Sequence, residues 1–239
     1  MNHNANPMKI TAITPTKEIQ QLKKKMEFAS NTKLILIYGE NATGKTFLYE
    51  NMKNSIKSSL FHKKTLDIQT NFPNNAVNSD NDFLFFINEK ILLIQKNLIL
   101  NNLFADEEIH ELCHIICRLF NERYLKRVIF SNNQFLLLDD NGINHDGIGG
   151  ASEQYYFSLC LLIAIKEKLF PNSFLIFDTI PNRINERIKK KLIKLICDNS
   201  SQLVIFDHPL YLEELEHYAI DNSLGVQKYA IREFLNFGE

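Results

Sequence analysis

The sequence predicts an α/β fold, a parallel sheet covered by helices, on three observations. Strand-like and helix-like segments alternate along most of the chain with short links between them, the pattern of βαβ units. Two apolar runs, 34–38 (LILIY) and 174–177 (FLIF), are continuous rather than alternating, as in strands buried on both faces. A glycine-bounded loop, 39–46, separates the first of these runs from a segment of helical periodicity.

In chain order, 1–7 (MNHNANP) reads as a loose tail and 8–13 (MKITAI) as a short strand. Pro15 then opens a helical stretch over 16–28, with Leu22, Met26 and Phe28 facing inward. The strand at 34–38 ends at Gly39, and Phe47, Leu48, Met52 and Ile56 set a helix over 46–58. A strand at 65–70, a polar loop at 71–82 and a strand at 83–87 follow, and 91–95 (ILLIQ) reads as another strand after a turn at Asn88, Glu89 and Lys90. Residues 105–126 read as a helix, then 127–130 and 134–139 as a hairpin leading into a glycine-rich loop at 141–150. The rest alternates: helix 153–169, strand 173–177, helix 183–197, strand 202–206 and a helix from 210 to about 218. With no internal repeat and no long linker, 1–239 reads as a single domain, with a short helical lobe at about 97–127.

Composition narrows the class. With 239 residues and 45% hydrophobic content, the chain should bury roughly 70% of its unfolded surface, which excludes disorder as its main state. Lys and Arg total 27 against 28 Asp and Glu. That balance carries no global basic footprint of the kind a duplex-DNA coat needs. Cys113, Cys117, Cys160 and Cys197 lie in apolar stretches and read as reduced core thiols. The first thirty residues lack an apolar leader, and no apolar run approaches the ~20 residues of a bilayer span. A soluble, cytoplasmic protein is expected.

The loop Gly39-Glu40-Asn41-Ala42-Thr43-Gly44-Lys45-Thr46 fits GxxxxGK[ST] in its strand-to-helix setting. Glycines let backbone N–H groups turn inward around phosphate oxygens, and the helix start aims its positive end at them. Lys45 should reach the β and γ phosphates and the Thr46 hydroxyl should ligate Mg²⁺. The bland alternative is a glycine turn that happens to precede Lys and Thr. Such a loop needs an acid at a neighbouring strand tip, and Asp178, closing 174–177, is the candidate. By itself it would also suit the first turn of the following helix. Asn88 ends a similar run but has no carboxylate.

These residues, over 34–212, resemble the ABC-type ATPases, and their SMC and RecF-like branch more than the transporters. GENATGKT is similar to the GENGSGKS loop of that branch, with Ala42 where a further glycine is usual. Gly149-Gly150-Ala151-Ser152-Glu153-Gln154 and the apolar helix after it resemble the LSGGEQ signature. Gln95 resembles the Q-loop glutamine, His208 the switch histidine, and Asn185 stands near the D-loop aspartate. The resemblance implies a P-loop ATPase head: a parallel sheet core, antiparallel β hairpins and a short helical lobe. It implies ATP and Mg²⁺ as cofactors, with Lys45, Asp178, His208 and Gln95 catalytic, and Thr46, Asp178 and Gln95 around the metal. The nucleotide set is then 39–46 with Phe47, Gly150, Ser152 and Glu153.

Two heads would sandwich two nucleotides, as a homodimer or with another ATPase head, with Gly149 to Ser152 capping the 153–169 helix toward the partner's γ phosphate. Thr179 follows Asp178 where the family commonly has the glutamate that polarises water. A general base contributes about 10²–10⁴-fold, so a slow, switch-like ATPase is expected unless Asp207 or a partner supplies the carboxylate. The short 95–127 interval leaves no room for a long coiled coil, so output should pass to an accessory subunit. DNA repair, or defence against foreign DNA, is what the resemblance suggests, with DNA a candidate partner. The alternatives are a nucleotide-gated interaction module and a small-molecule kinase whose lid would draw on Arg183 and Arg187.

Two further clusters have ordinary readings. His110, Cys113, His114 and Cys117 share one helix face, but four ligands on one straight helix cannot converge on a tetrahedral ion. Lys23, Lys24 and Lys25, and Lys189, Lys190, Lys191 and Lys194, form basic faces of the kind that are usually solvated.

Overall fold

The computed structural model describes residues 7–16, 24–57, 66–73, 76–78, 80–88, 104–122, 125–132, 134–144, 150–181 and 184–234. They group into two compact units. The first takes its residues from 1–89, 170–182 and 196–239, the second from 90–169 and 183–195.

The first unit is built on a parallel sheet. Its strands are β3 (Thr32–Tyr38), β5 (Phe86–Ile87), β8 (Leu175–Asp178), β9 (Leu203–Asp207) and β10 (Gly225–Ala230), in the order β10-β3-β9-β8-β5. Ile35, Leu36 and Ile37 of β3, and Ile176, Phe177, Val204, Ile205 and Phe206 of its neighbours, have no measurable exposure. This is why their sequences are apolar without alternation. Helix α1 (Lys45–Ile56) packs on β8 and β9, and Tyr49 meets the rings of Phe86 and Phe206 edge-on. Parallel β3 and β9 carry their carboxyl ends to the same edge, in the register Tyr38 opposite Asp207. That edge receives the glycine loop.

A three-stranded antiparallel sheet, β2 (Met26–Glu27), β1 (Ile10–Pro15) and β4 (Leu66–Thr70), completes the unit. It is tied to the main sheet by Gln202, whose side-chain amide exchanges two hydrogen bonds with the backbone of Ile10. Helix α5 (Pro209–Asp221) follows β9.

The second unit holds helix α2 (Asp106–Phe120), the hairpin β6 (Arg127–Ser131) with β7 (Gln134–Leu138), and helix α3 (Ala151–Leu169). Twelve residues of α3 are buried, from Tyr155 to Lys166. α2 packs against both α3 and β6. Helix α4 (Glu186–Asp198) begins in this unit.

Several expected elements differ. The helix expected over 16–28 is not formed at its end: Met26 and Glu27 pair with β1, so Met26 and Phe28 are buried from an extended chain. Residues 17–23, Leu22 among them, lie outside the described residues. The strand expected at 83–87 is shortened to Phe86–Ile87 by a 3-10 turn at Asp82–Leu84, where Asp82 pairs with Lys53 and Lys57 of α1. α2 stops at Phe120 rather than near 126 because Asn121 takes the left-handed conformation, φ 42°. β10 was not expected at all. The strand expected at 91–95 lies outside the described residues. All four cysteines are free thiols. Burial pushes Cys113 up to about 11 and Cys197 to about 12, as for inert core residues. Among the described residues no helix is long and apolar enough to cross a membrane.

Candidate functional site

The glycine loop begins where β3 runs out. Gly39 donates its N–H to Asp207 O at 3.3 Å, which moors the loop to the end of β9. A Cβ at Gly39 would fall 2.4 Å from Ile231 Cγ2 and from Thr43 Oγ1, so a side chain there would have to displace them. Thr43 closes the turn by donating its hydroxyl to Glu40 O at 2.7 Å. Ala42 (φ 61°) and Gly44 (φ 87°) both take the left-handed conformation that turns successive N–H groups inward. α1 starts at Lys45 with no side-chain cap, leaving its first-turn N–H groups directed to the loop interior. Asn41 and Phe47 are exposed beside it.

Lys45 Nζ donates to Gly39 O (2.6 Å) and Glu40 O (2.8 Å) of its own loop. Partial burial lowers its pKa, and Asp207, Asp178 and Glu40 act in the opposite direction. Thr46 Oγ1 donates to Asp178 Oδ1 at 3.3 Å, so the two residues expected around a metal are in contact. Burial raises the Asp178 pKa; the Thr46 hydrogen bond and Lys45 lower it, while Glu50 and Asp207 raise it further. Among the described residues, these carboxylates gather around Lys45.

At the end of β9, Asp207 is 1% exposed and each oxygen of its carboxylate accepts a backbone N–H. Oδ1 accepts from His208 N at 2.7 Å and Oδ2 from Ile180 N at 3.1 Å. At that exposure it is not open to bulk solvent. His208 Nδ1 accepts from Leu210 N at 3.3 Å and caps α5, so the proton is on Nε2, which lies 2.6 Å from Glu40 Oε2. Thr179, between Asp178 and Ile180, has φ 68°.

The second unit holds the expected signature residues. Gly150 is exposed, and a Cβ there would meet nothing within 4 Å. α3 begins at Ala151 rather than Glu153, so Ser152 lies in the first turn and is not the N-cap. Its hydroxyl instead accepts from Asn185 N at 3.0 Å, while Asn185 Oδ1 accepts from Arg187 N at the start of α4. Glu153 is held by Arg187 Nη2 at 2.9 Å, and Arg187 Nη1 also binds the buried Glu122. Lys191 joins the same carboxylate at 2.8 Å. Sequence reasoning missed Glu122. A Glu beside a left-handed Asn at a helix end gave no signal for its burial.

Gln95, Gly149, Lys23 and Arg183 lie outside the described residues. Of the basic runs, Lys25 pairs with Glu27. Among the described residues no group of three or more His, Cys, Asp or Glu could hold a metal ion. His110 and His114 stack at 4.7 Å between ring centroids on the open face of α2, but Cys113 is buried and Cys117 Sγ donates to Lys126 O.

Among solved structures, the SMC head domain from Thermotoga maritima matches with a TM-score of 0.55 and 12% identity, over 86% of this chain and 91% of that one. An SMC head bound to the C-terminal winged-helix domain of ScpA gives 0.51 and 11%, over 85% and 90%. The recombination mediator protein RecF of the RecFOR pathway gives 0.50 and 14%, over 85% and 93%. No family model and no curated protein matches the chain.

Proposed function

We propose, for a chain built on the fold of the SMC and RecF ATPase heads, that it is a cytoplasmic, ATP-binding head acting as a slow switch in a larger complex. The contact of Thr46 with Asp178, beside the Lys45 loop at the carboxyl edge of the sheet, carries the proposal. The donor set suits Mg²⁺: one hydroxyl and one carboxylate are hard oxygen ligands that leave room for water and phosphate. A half-buried acid crowded by Glu50 and Asp207 also favours a cation from outside. Thr46 and Asp178 would hold Mg²⁺, which would supply neutralisation of phosphate charge. Lys45 would exchange its two loop carbonyls for phosphate oxygens, and the first-turn N–H groups of α1 would accept the remaining charge.

Hydrolysis is slow on this reading. Thr179 offers no carboxylate, and Asp207 is 1% exposed with each oxygen accepting a backbone N–H. Losing a general base costs about 10²–10⁴-fold in rate while leaving nucleotide binding in place. The same observation favours a second reading, a nucleotide-gated module with almost no turnover, which differs only in rate. The kinase reading is weaker, because Arg187 is already paired with Glu122 and Glu153.

On this reading 1–239 acts as an ATPase head that pairs with another head around Mg·ATP. Gly150 is exposed just before the start of α3, where a helix N-terminus would receive a phosphate on the partner. An accessory subunit, and a role in DNA repair or defence, extend the same analogy from proteins described as ScpA-bound or as a recombination mediator. The test is ATP binding, hydrolysis and oligomeric state for wild type, Lys45→Ala and Thr179→Glu. An ATP-dependent dimer that Lys45→Ala loses supports the reading, and a monomer under every condition with any added head counts against it.

A further inference from the structure

We infer that Asp207 is a positioning residue, a latch that holds the turn Asp178-Thr179-Ile180 closed against β9 and keeps Asp178 on Thr46. The inference rests on the metal and nucleotide reading of that pair. The β8–β9 ladder ends with Asp178 opposite Phe206. One more N–H, from Thr179, reaches Phe206 O at 2.8 Å. The next, from Ile180, finds no strand carbonyl and goes to the Asp207 carboxylate at 3.1 Å. The chain turns between those two bonds, at Thr179, whose φ of 68° is disfavoured for a β-branched residue. Such a conformation persists only where its surroundings over-determine it. Here one buried side chain does so, and its own backbone also receives the Gly39 N–H of the phosphate loop.

Asp207 therefore touches the loop, the turn after the acidic strand and the backbone of His208 at once. A glutamate at 179 is not needed for this arrangement, and a glycine there would remove the strain that the latch opposes.

Asp207→Asn keeps the volume but turns one of the two acceptors into a donor facing a backbone N–H. Amide hydrogen exchange at Ile180, without nucleotide, should quicken about tenfold, and affinity for ATP with Mg²⁺ should fall about tenfold. Affinity for ATP in EDTA should stay within about twofold, a split that general loosening of the fold would not give. Adding Thr179→Gly to Asp207→Asn should restore most of the Mg²⁺-dependent affinity, and should restore folding if the single variant does not fold. Unchanged exchange at Ile180, or a double variant as weak or as unfolded as the single one, overturns the latch. Absence of ATP binding by wild type would overturn the function proposed above, while exchange at Ile180 still judges the latch.

Discussion

The Thr46 hydroxyl donates to Asp178 Oδ1 at 3.3 Å, joining residues 132 positions apart in the chain. Parallel pairing makes this contact: β3 and β8 both flank β9 and end at the same edge, so the residues after them meet. Everything proposed for the protein follows from what surrounds this pair.

Lys45→Ala removes a lysine that faces the carboxylates Asp178 and Asp207. Because hydrogen bonds to charged groups are worth about 1.5–3 kcal/mol, ATP affinity should fall about 10- to 100-fold. Titration calorimetry checks this, and circular dichroism should show an unchanged fold.

Ala42 occupies a left-handed position, which glycine adopts without steric cost. The conformation costs Ala roughly 1–2 kcal/mol, and glycine would return about 0.4–1 of that through a freer unfolded chain. Ala42→Gly should thus stabilise the protein slightly, by up to about 1 kcal/mol, read as a rise in Tm of about 2–4 °C at most.

Much of this site was legible in the sequence. Residues 39–46 carry their geometry in their glycines, and four apolar residues before Asp178 place the acid at the sheet edge. β10 was not legible, because the alternation of GVQKYA resembles a half-exposed loop as much as a strand, and only pairing with β3 decides between them. The helix expected at 16–28 failed for a related reason: Met26 and Phe28 fit the inner face of a strand as well as that of a helix. The Asp207 latch depends on side-chain-to-backbone bonds across 27 residues, which no local pattern encodes.

Acid should separate metal binding from folding. Burial raises the pKa of Asp178 and of Asp207, so each favours its protonated form in the folded state. Their ionisation costs stability as pH rises through those raised values, and the nucleotide-free protein regains it on mild acidification. Mg²⁺ needs ionised Asp178, so Mg²⁺-dependent affinity should be lost above the ordinary aspartate value of about 3.9 as pH falls. Asp178→Asn should abolish that Mg²⁺ dependence and leave the nucleotide-free protein at least as stable as wild type at neutral pH.

Gly150→Ala should leave Tm within about 1 °C, since the added methyl meets nothing and exposed substitutions stay within ±0.5 kcal/mol. The same variant should bind ATP normally as a monomer and lose nucleotide-dependent dimer formation. Analytical ultracentrifugation with and without ATP reads both.

Thr179→Glu should raise steady-state ATP hydrolysis toward the lower end of the 10²–10⁴-fold that a general base supplies, with affinity changed by less than about threefold. Phosphate release under saturating ATP measures it.

The most direct test of the central claim is the mass in solution of the wild-type protein, alone and with a second head, before and after addition of Mg·ATP. The account predicts tight ATP binding, a shift from monomer to dimer on addition, and loss of both in Lys45→Ala. Wild-type protein that stays monomeric with Mg·ATP and any added head, or dimerises equally well after Lys45→Ala, would contradict it.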